Sequence, residues 1–348
     1  MRFIQGLADI VSSNQYTIIA SDVYGVLHDG VEPYPYSRVC LKSLCECNLE
    51  TILLSNSSRL GHVLADDLES KYGIDKSSYK RVLSSGDVTR QFLQSCFDQI
   101  RGSSNEPFNN NKAIDCSATM LFKNESLMLS AQEFTQQYIK TGRFHLIGNA
   151  SYHGPLYKDL APEIIPVSLD CQDIDFVLVG LIISLPRHGN PVNPNDANNV
   201  RQHYHSYLQQ CLLKNIPMII ANPDIRAPNG SNTDGTPRLL MCPGYIGELY
   251  REMGGKVLYF GKPFATIYRY LLSDTNHDSE VRKVLCIGDN LSTDVLGARK
   301  ADLDVVLILG GVHNVSVGNG NDFVSSIEQL CLQYESPEPT YAMEYLRF

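Results

Sequence analysis

The sequence has little charge and no surplus of basic residues. Only 19% of its 348 residues are charged, and 38 acidic against 29 basic side chains leave a net charge of −9. An acidic chain has no general attraction for a phosphate backbone or an anionic lipid surface, so neither nucleic acid nor membrane is expected as a partner. No run reaches the roughly 18 apolar residues that a spanning helix needs. The first segment, MRFIQGLADIVSSNQY, has neither a sustained apolar stretch nor a small-residue cleavage signal. The ten cysteines lack metal-binding spacing and several sit in apolar, strand-like runs, which reads as scattered buried thiols. A reducing cytoplasm is the expected location and small-molecule chemistry the expected activity. The chain does have 43% hydrophobic residues, 19 Tyr and 12 Phe. That is enough for one large core or two ordinary ones, and it excludes disorder of the whole chain.

Short apolar runs end abruptly in polar or Gly-containing loops: YTIIASD (16–22), ETILLSN (50–56), KVLYFGK (256–262), KVLCIGD (283–289) and DVVLILG (304–310). Such runs, separated by longer amphipathic segments, predict buried parallel strands in a βαβ pattern and an α/β fold. The first four deliver Asp22, Ser55, Lys262 and Asp289, groups able to touch phosphate or metal, to the strand ends where open α/β sheets bind ligands. From about residue 88 to 240 the texture changes. Polar loops (103–113 and 189–199) alternate with further strand candidates, FHLIG (144–148), DFVLVGLIIS (175–184) and PMIIA (217–221), which suggests a second α/β unit inserted into the first. The expected division is therefore 1–87 and 241–348 for one unit and 88–240 for the other. The tail ESPEPTYAMEYLRF reads equally as a docked strand or a frayed end.

Each candidate residue has a physical rationale. A carboxylate at a strand end, such as Asp22, can attack phosphorus and split ester hydrolysis into two steps. Ser55, the amides after it and Lys262 can hold phosphoryl oxygens, because a loose phosphoryl-transfer transition state needs charge stabilisation above all. Ser55 is also read as lying just before a helix start, where free N–H groups favour an anion. Asp289 and Asp294, five residues apart around a loop entering a helix, suit a hard divalent cation.

Four motifs stand in order: IIASDVYGVLHDG (18–30), LLSNSSR (53–59), FGKP (260–263) and IGDNLSTDVLGARKAD (287–302). With ANPD (221–224) and the stretch 242–263, they make the chain resemble the haloacid-dehalogenase (HAD) superfamily of phosphohydrolases. The similarity is to the subclass whose large α/β cap is inserted between the second and third motifs. The resemblance implies a Rossmann-like core with a parallel sheet, an inserted α/β cap domain, and Mg²⁺-dependent hydrolysis of a small phosphorylated metabolite through an aspartyl-phosphate on Asp22. It implies Mg²⁺ held by Asp22, Asp289 and the backbone carbonyl of Tyr24, with Asp294 close by. Asn56 would join Ser55 and Lys262 at the substrate, and Asn222, Asp224 and Arg226 would contact it from the cap. A homodimer formed through the cap is left open.

The departure is at Tyr24, where most phosphatases of this superfamily carry a second Asp that protonates the leaving oxygen. General acid–base help is typically worth about 10²–10⁴-fold, so without a substitute the expected enzyme is slow, least so on esters with good leaving groups. Two alternatives follow: a 2-haloacid-dehalogenase-like hydrolase, and a degenerate relative that binds phosphate or metabolite without turnover. His28 and Asp29 could replace the acid, against the blander reading of a solvent-facing loop. His203 and His205 read as solvated histidines, and the Gly-rich stretch 310–323 as ordinary turns.

Overall fold

The computed structural model describes residues 1–11, 15–100, 129–160, 164–186, 189–233, 236–273, 284–313 and 322–348. Its strands, in chain order, are β1 (Arg2–Phe3), β2 (Ile18–Ser21), β3 (Glu50–Ser55), β4 (Arg81–Ser84), β5 (Arg143–Ile147), β6 (Ile165–Val167), β7 (Phe176–Val179), β8 (Met218–Ile220), β9 (Arg226–Ser231), β10 (Pro237–Met241), β11 (Val257–Tyr259), β12 (Val284–Gly288), β13 (Asp304–Ile308) and β14 (Tyr341–Met343). The helices are α1 (Ala8–Val11), α2 (Ser37–Glu46), α3 (Gly61–Tyr72), α4 (Ser85–Ile100), α5 (Ala131–Tyr138), α6 (Ala150–His153), α7 (Ala197–Leu213), α8 (Pro243–Glu252), α9 (Ala265–Ser273), α10 (Leu296–Lys300) and α11 (Asp322–Gln333).

Two parallel sheets organise them. The larger has the order β1-β14-β13-β12-β2-β3-β4 and the smaller β11-β8-β7-β5-β6, while β9 and β10 form a separate antiparallel ribbon. Every residue of β2, β7 and β12 is buried, as runs of Ile, Val and Leu covered on both faces must be. The pleat then splits each strand between two cores. Ile19 of β2 and Leu53 of β3 pack with Leu41 and Leu44 of α2 and Leu64 and Leu68 of α3. Ile18, Ala20, Ile52 and Leu54 face the other way, onto Phe92 and Leu93 of α4 and Ile267 and Leu271 of α9.

That second core does not stop at the larger sheet. It continues through α4 and Phe134 of α5 into Phe144, Phe176, Leu178 and Ile219 of the smaller one. The far face of the smaller sheet is closed by α7 and α8, with Tyr204, Leu208, Ile246 and Tyr250 over Val177 and Val179. The inserted unit is thus fused to the main one by a shared apolar core.

The structure differs from the sequence expectations at several points. Strand 257–259, expected in the larger unit, pairs with β8 in the smaller sheet, Val257 opposite Met218. With α8 packed beside it, the stretch from 241 to Tyr259 therefore adds to the cap instead of opening the second core segment. The polar stretch after Asp224 forms the β9–β10 ribbon. The run 175–184 is a strand only as far as Val179. The tail docks as β14 between β13 and β1. His203 is buried, and its Nε2 accepts from the Leu185 amide at 2.8 Å, so it is not solvated. Six cysteines are buried, as read, but Cys45 and Cys47 are exposed; the loop 103–113 and Cys116 lie outside the described residues. Among the described residues no helix is long and apolar enough to cross a membrane.

The shared core supplies a stability test. Phe176 is fully buried, stacked on Phe144 at 5.0 Å and set edge-on to Phe134 at 6.2 Å. Phe176→Ala is expected to cost about 3–5 kcal/mol in urea unfolding, through lost transfer free energy plus a cavity. A loss below about 1 kcal/mol would show that the aromatic cluster does not carry the core.

Candidate active site

Strand order brings the site together. β12, β2 and β3 are neighbours, so Asp289, Asp22 and Ser55 leave the sheet side by side at its carboxyl edge. The Asp22 amide donates to Ile287 O at 2.8 Å, which ties the first two strand ends directly. Lys262 arrives from the other sheet, just past β11. Its ammonium lies 2.6 Å from Asp22 Oδ1 and 2.7 Å from Asp294 Oδ1, and donates to Leu54 O at 2.9 Å. Asp294 stands in a π-type turn, Leu291–Val295, capped by Asn290, whose amide donates to Asp294 Oδ2 at 3.1 Å.

Crowding forces glycine at two places. Gly25 has φ +84°, and a Cβ there would fall 1.9 Å from Asp289 Oδ2. Gly261 has φ +111°, and a Cβ would meet Asn56 Oδ1 at 2.5 Å. Both turns need a residue without a side chain to let the chain approach the carboxylates and Asn56.

The carboxylates outnumber the cation. Asp22, Asp289 and Asp294 are all buried, with ligand oxygens within 4.8 Å of one another. Burial, and then Asp294, pushes the Asp22 carboxyl up to about 8 against the pull of Lys262. Burial and both neighbouring carboxylates drive Asp289 well above the usual range. Burial opposes the charge of Lys262, yet Asp22 and Asp294 hold its ammonium above the ordinary lysine range. Asp289 Oδ2 accepts from the Val312 amide at 2.6 Å, so Asp22 Oδ2 and Asp289 Oδ1 remain without a partner among the described residues. Two open carboxylate oxygens in an over-charged, buried cluster fit a hard divalent cation such as Mg²⁺. Asp294 has both oxygens engaged and serves first to hold Lys262.

Asn56 joins core to cap. Its Oδ1 accepts from the Lys262 amide at 2.7 Å, and its Nδ2 donates to Lys262 O at 2.9 Å and to Asp224 Oδ1 at 2.8 Å. Above these groups is a cavity of about 330 Å³, whose lining includes Asp22, Tyr24, Ser55, Asn56, Asp289, Asn222, Asp224 and Arg226.

Two family models match the segments that build this edge: "Haloacid dehalogenase-like hydrolase" over residues 19–104 and "HAD-hydrolase-like" over residues 259–329. The chain belongs to the haloacid-dehalogenase superfamily. It is 32% identical over 97 residues to the ribonucleotide monophosphatase NagD of Escherichia coli K12, a match covering 28% of this chain and 35% of that protein. This chain therefore spans about a third of the length of the curated relative it matches. Among solved structures, a haloacid dehalogenase-like hydrolase from Brucella suis aligns with TM-score 0.67 and 24% identity, over 99% of this chain and 100% of that one. A possible sugar phosphatase of the superfamily from Cytophaga hutchinsonii aligns with TM-score 0.63 and 19% identity, over 99% and 98%. Both share the fold, and here the HAD cap is inserted between the second and third motifs.

Several local expectations need correcting within the HAD framework. No helix begins after Ser55; α3 starts at Gly61, and Ser55 Oγ instead accepts from the Ser57 amide at 3.2 Å. His28 is neither solvent-facing nor a substitute acid. Its ring is stacked on Tyr72 at 3.9 Å, its Nδ1 accepts from the Gly30 amide at 2.9 Å, and burial lowers its pKa to about 4. Asp29 accepts from the Val31 and Glu32 amides, as a turn residue does. Ser58 and His153 were missed. Ser58 Oγ donates to Gly180 O at 2.8 Å and lies 3.0 Å from His153 Nε2, which latches the loop after β3 to the cap inside the cavity wall. Arg59, paired with Asp67, also lines it. A Ser and a His 95 residues apart carry no sequence signal for that contact.

Two outcomes follow. Without metal, Asp289→Asn relieves repulsion while keeping an acceptor for Val312, so its apo form is expected to be more stable than wild type. Wild type should gain about 3 kcal/mol at a hundredfold excess of Mg²⁺ over Kd, and Asp289→Asn little; an equal shift in both would remove Asp289 from the ion site. For His28 the folded pKa lies below the unfolded value near 6.5, so its contribution is complete above pH 6.5 and lost as pH falls toward 4. Denaturation from pH 7 to 4 should show wild type losing up to about 3 kcal/mol more than His28→Asn; parallel curves would refute this.

Proposed function

We propose that the protein is a Mg²⁺-dependent phosphohydrolase of the cytoplasm acting on a small phosphorylated metabolite, with Asp22 as nucleophile. The observation that carries this reading is the buried Lys262 ammonium, bridging Asp22 and Asp294 beside Asp289 at the floor of a cavity. A metal-free dehalogenase has no use for three carboxylates at one point, whereas phosphoryl transfer needs concentrated, preorganised charge. The partial likeness to a ribonucleotide monophosphatase supports a phosphomonoester, and about 330 Å³ lies at the small end of ligand cavities.

In the first step an Asp22 carboxylate oxygen attacks phosphorus in line, forming a P–O bond as the bond to the leaving oxygen breaks. In the second, water attacks the same phosphorus and the bond to Asp22 breaks, releasing inorganic phosphate and restoring the carboxylate. Lys262 favours the charged form of Asp22 against burial and Asp294, and turns to the phosphoryl oxygens with Ser55 Oγ. Asp294 aims Lys262, and Asn56 clamps its main chain. Mg²⁺, held by Asp22, Asp289 and the Tyr24 carbonyl with Asp294 beside it, would supply further positive charge against the phosphoryl group. The cap wall, with Asn222, Asp224 and Arg226, excludes water and reads the leaving group.

The test is phosphate release from a panel of phosphorylated metabolites and aryl phosphates, with and without Mg²⁺. Turnover of at least one member is expected with Mg²⁺ only, and Asp22→Asn should lose about 10⁴-fold or more. Halide release from 2-haloacids without metal, or binding of phosphate compounds with no hydrolysis, would overturn the proposal.

A further inference from the structure

Cleaving an alkyl phosphate expels an alkoxide, which needs a proton as the P–O bond breaks. Among the described residues lining the cavity, few can give one. His153 has both ring nitrogens engaged, Nε2 at Ser58 Oγ and Nδ1 at Asn149, and burial lowers its pKa. Burial holds the Cys242 thiol far above neutrality. Guanidinium groups keep their protons, which sets aside Arg59 and Arg226. A phenol is a weak acid at neutral pH, which sets aside Tyr24 and Tyr152. Asp22 and Asp289 belong to the nucleophile and ion cluster.

We infer that Asp224, projected from the cap into the cavity, is the catalytic acid that protonates the leaving oxygen, an inference resting on the phosphohydrolase reading. In-line attack places the leaving oxygen across phosphorus from Asp22, away from the larger sheet, and the segment Asn222–Asp224 of the smaller unit lines the same cavity. Its carboxyl is held at one oxygen only: Oδ1 accepts from Asn56 Nδ2 at 2.8 Å, and Oδ2 has no partner among the described residues. The Asp224 amide donates to Asn222 Oδ1 at 2.9 Å, which stiffens the turn that presents it. Asn56 also clamps Lys262, so the same amide sets both the floor and the acid. Burial pushes the Asp224 carboxyl up to about 6, against the pull of Asn56 and Lys262, close enough to neutrality to give and retake a proton.

The proton passes from Asp224 to the leaving oxygen as the bond from Asp22 to phosphorus forms. The resulting carboxylate takes a proton from the attacking water in the second step, which restores the starting state with no other reactant.

The experiment compares kcat/KM for alkyl and aryl phosphates in wild type and Asp224→Asn, which keeps an oxygen for Asn56. Alkyl phosphates are expected to lose about 10²–10³-fold and aryl phosphates, whose leaving groups need little protonation, no more than about threefold. Equal losses on both classes, or none on either, would overturn the assignment. Wild type gives a check independent of the variant's folding: with the acid in place kcat/KM varies weakly with leaving-group pKa, and a steep decline would overturn it too. If wild type releases phosphate from neither class, the phosphohydrolase reading itself fails and takes this inference with it.

Discussion

One buried ammonium holds the site together. Lys262, with 3% of its side chain exposed, is the cation that Asp22 and Asp294 share in the interior. Two unit charges in contact attract strongly once water is excluded, but the desolvation cost is of similar size, so such a pair survives only where geometry and hydrogen bonds are complete. On the lysine side they are: Leu54 O takes the remaining direction of the ammonium, and Asn56 binds both the amide and the carbonyl of Lys262. Gly25 and Gly261 exist in the service of this arrangement, because any side chain at either would collide with it.

The dependence runs across the two sheets. Lys262 follows the edge strand of the smaller sheet, while its partners stand at strand ends of the larger one, so the charge cluster forms only when the sheets are docked. Docking is secured by the apolar core that continues through α4 and α5, and by the polar ties Asn56–Asp224 and Ser58–His153. A continuous core gives a defined separation between floor and roof, and the cavity is what remains between them. The roof is therefore as much a part of the chemistry as the nucleophile.

Much of the floor could be read locally. A strand buried on both faces of a parallel sheet must be a short, uniformly apolar run, and its end must be abrupt, so Asp22, Ser55 and Asp289 announced themselves by position. Asp294 was legible because its spacing from Asp289 is set by a single turn. The fold class followed from the same runs. What escaped were contacts between segments far apart in the chain: Asn56 meets Asp224 across 168 residues, and Ser58 meets His153 across 95. Burial of His28 escaped as well, since the Tyr72 ring that covers it comes from α3.

The run 256–262 marks the division most sharply. By itself the sequence determined that a buried strand forms in this run and leads on to a lysine, because an apolar run before Gly-Lys-Pro has few other stable outcomes. Which sheet receives the strand was decided only by the tertiary structure: β11 found its place beside β8, and the Lys262 side chain reached back to the other sheet. Local pattern fixes how a residue is buried, through periodicity and side-chain type, but the partner that buries it is chosen by packing among elements that the pattern leaves equivalent.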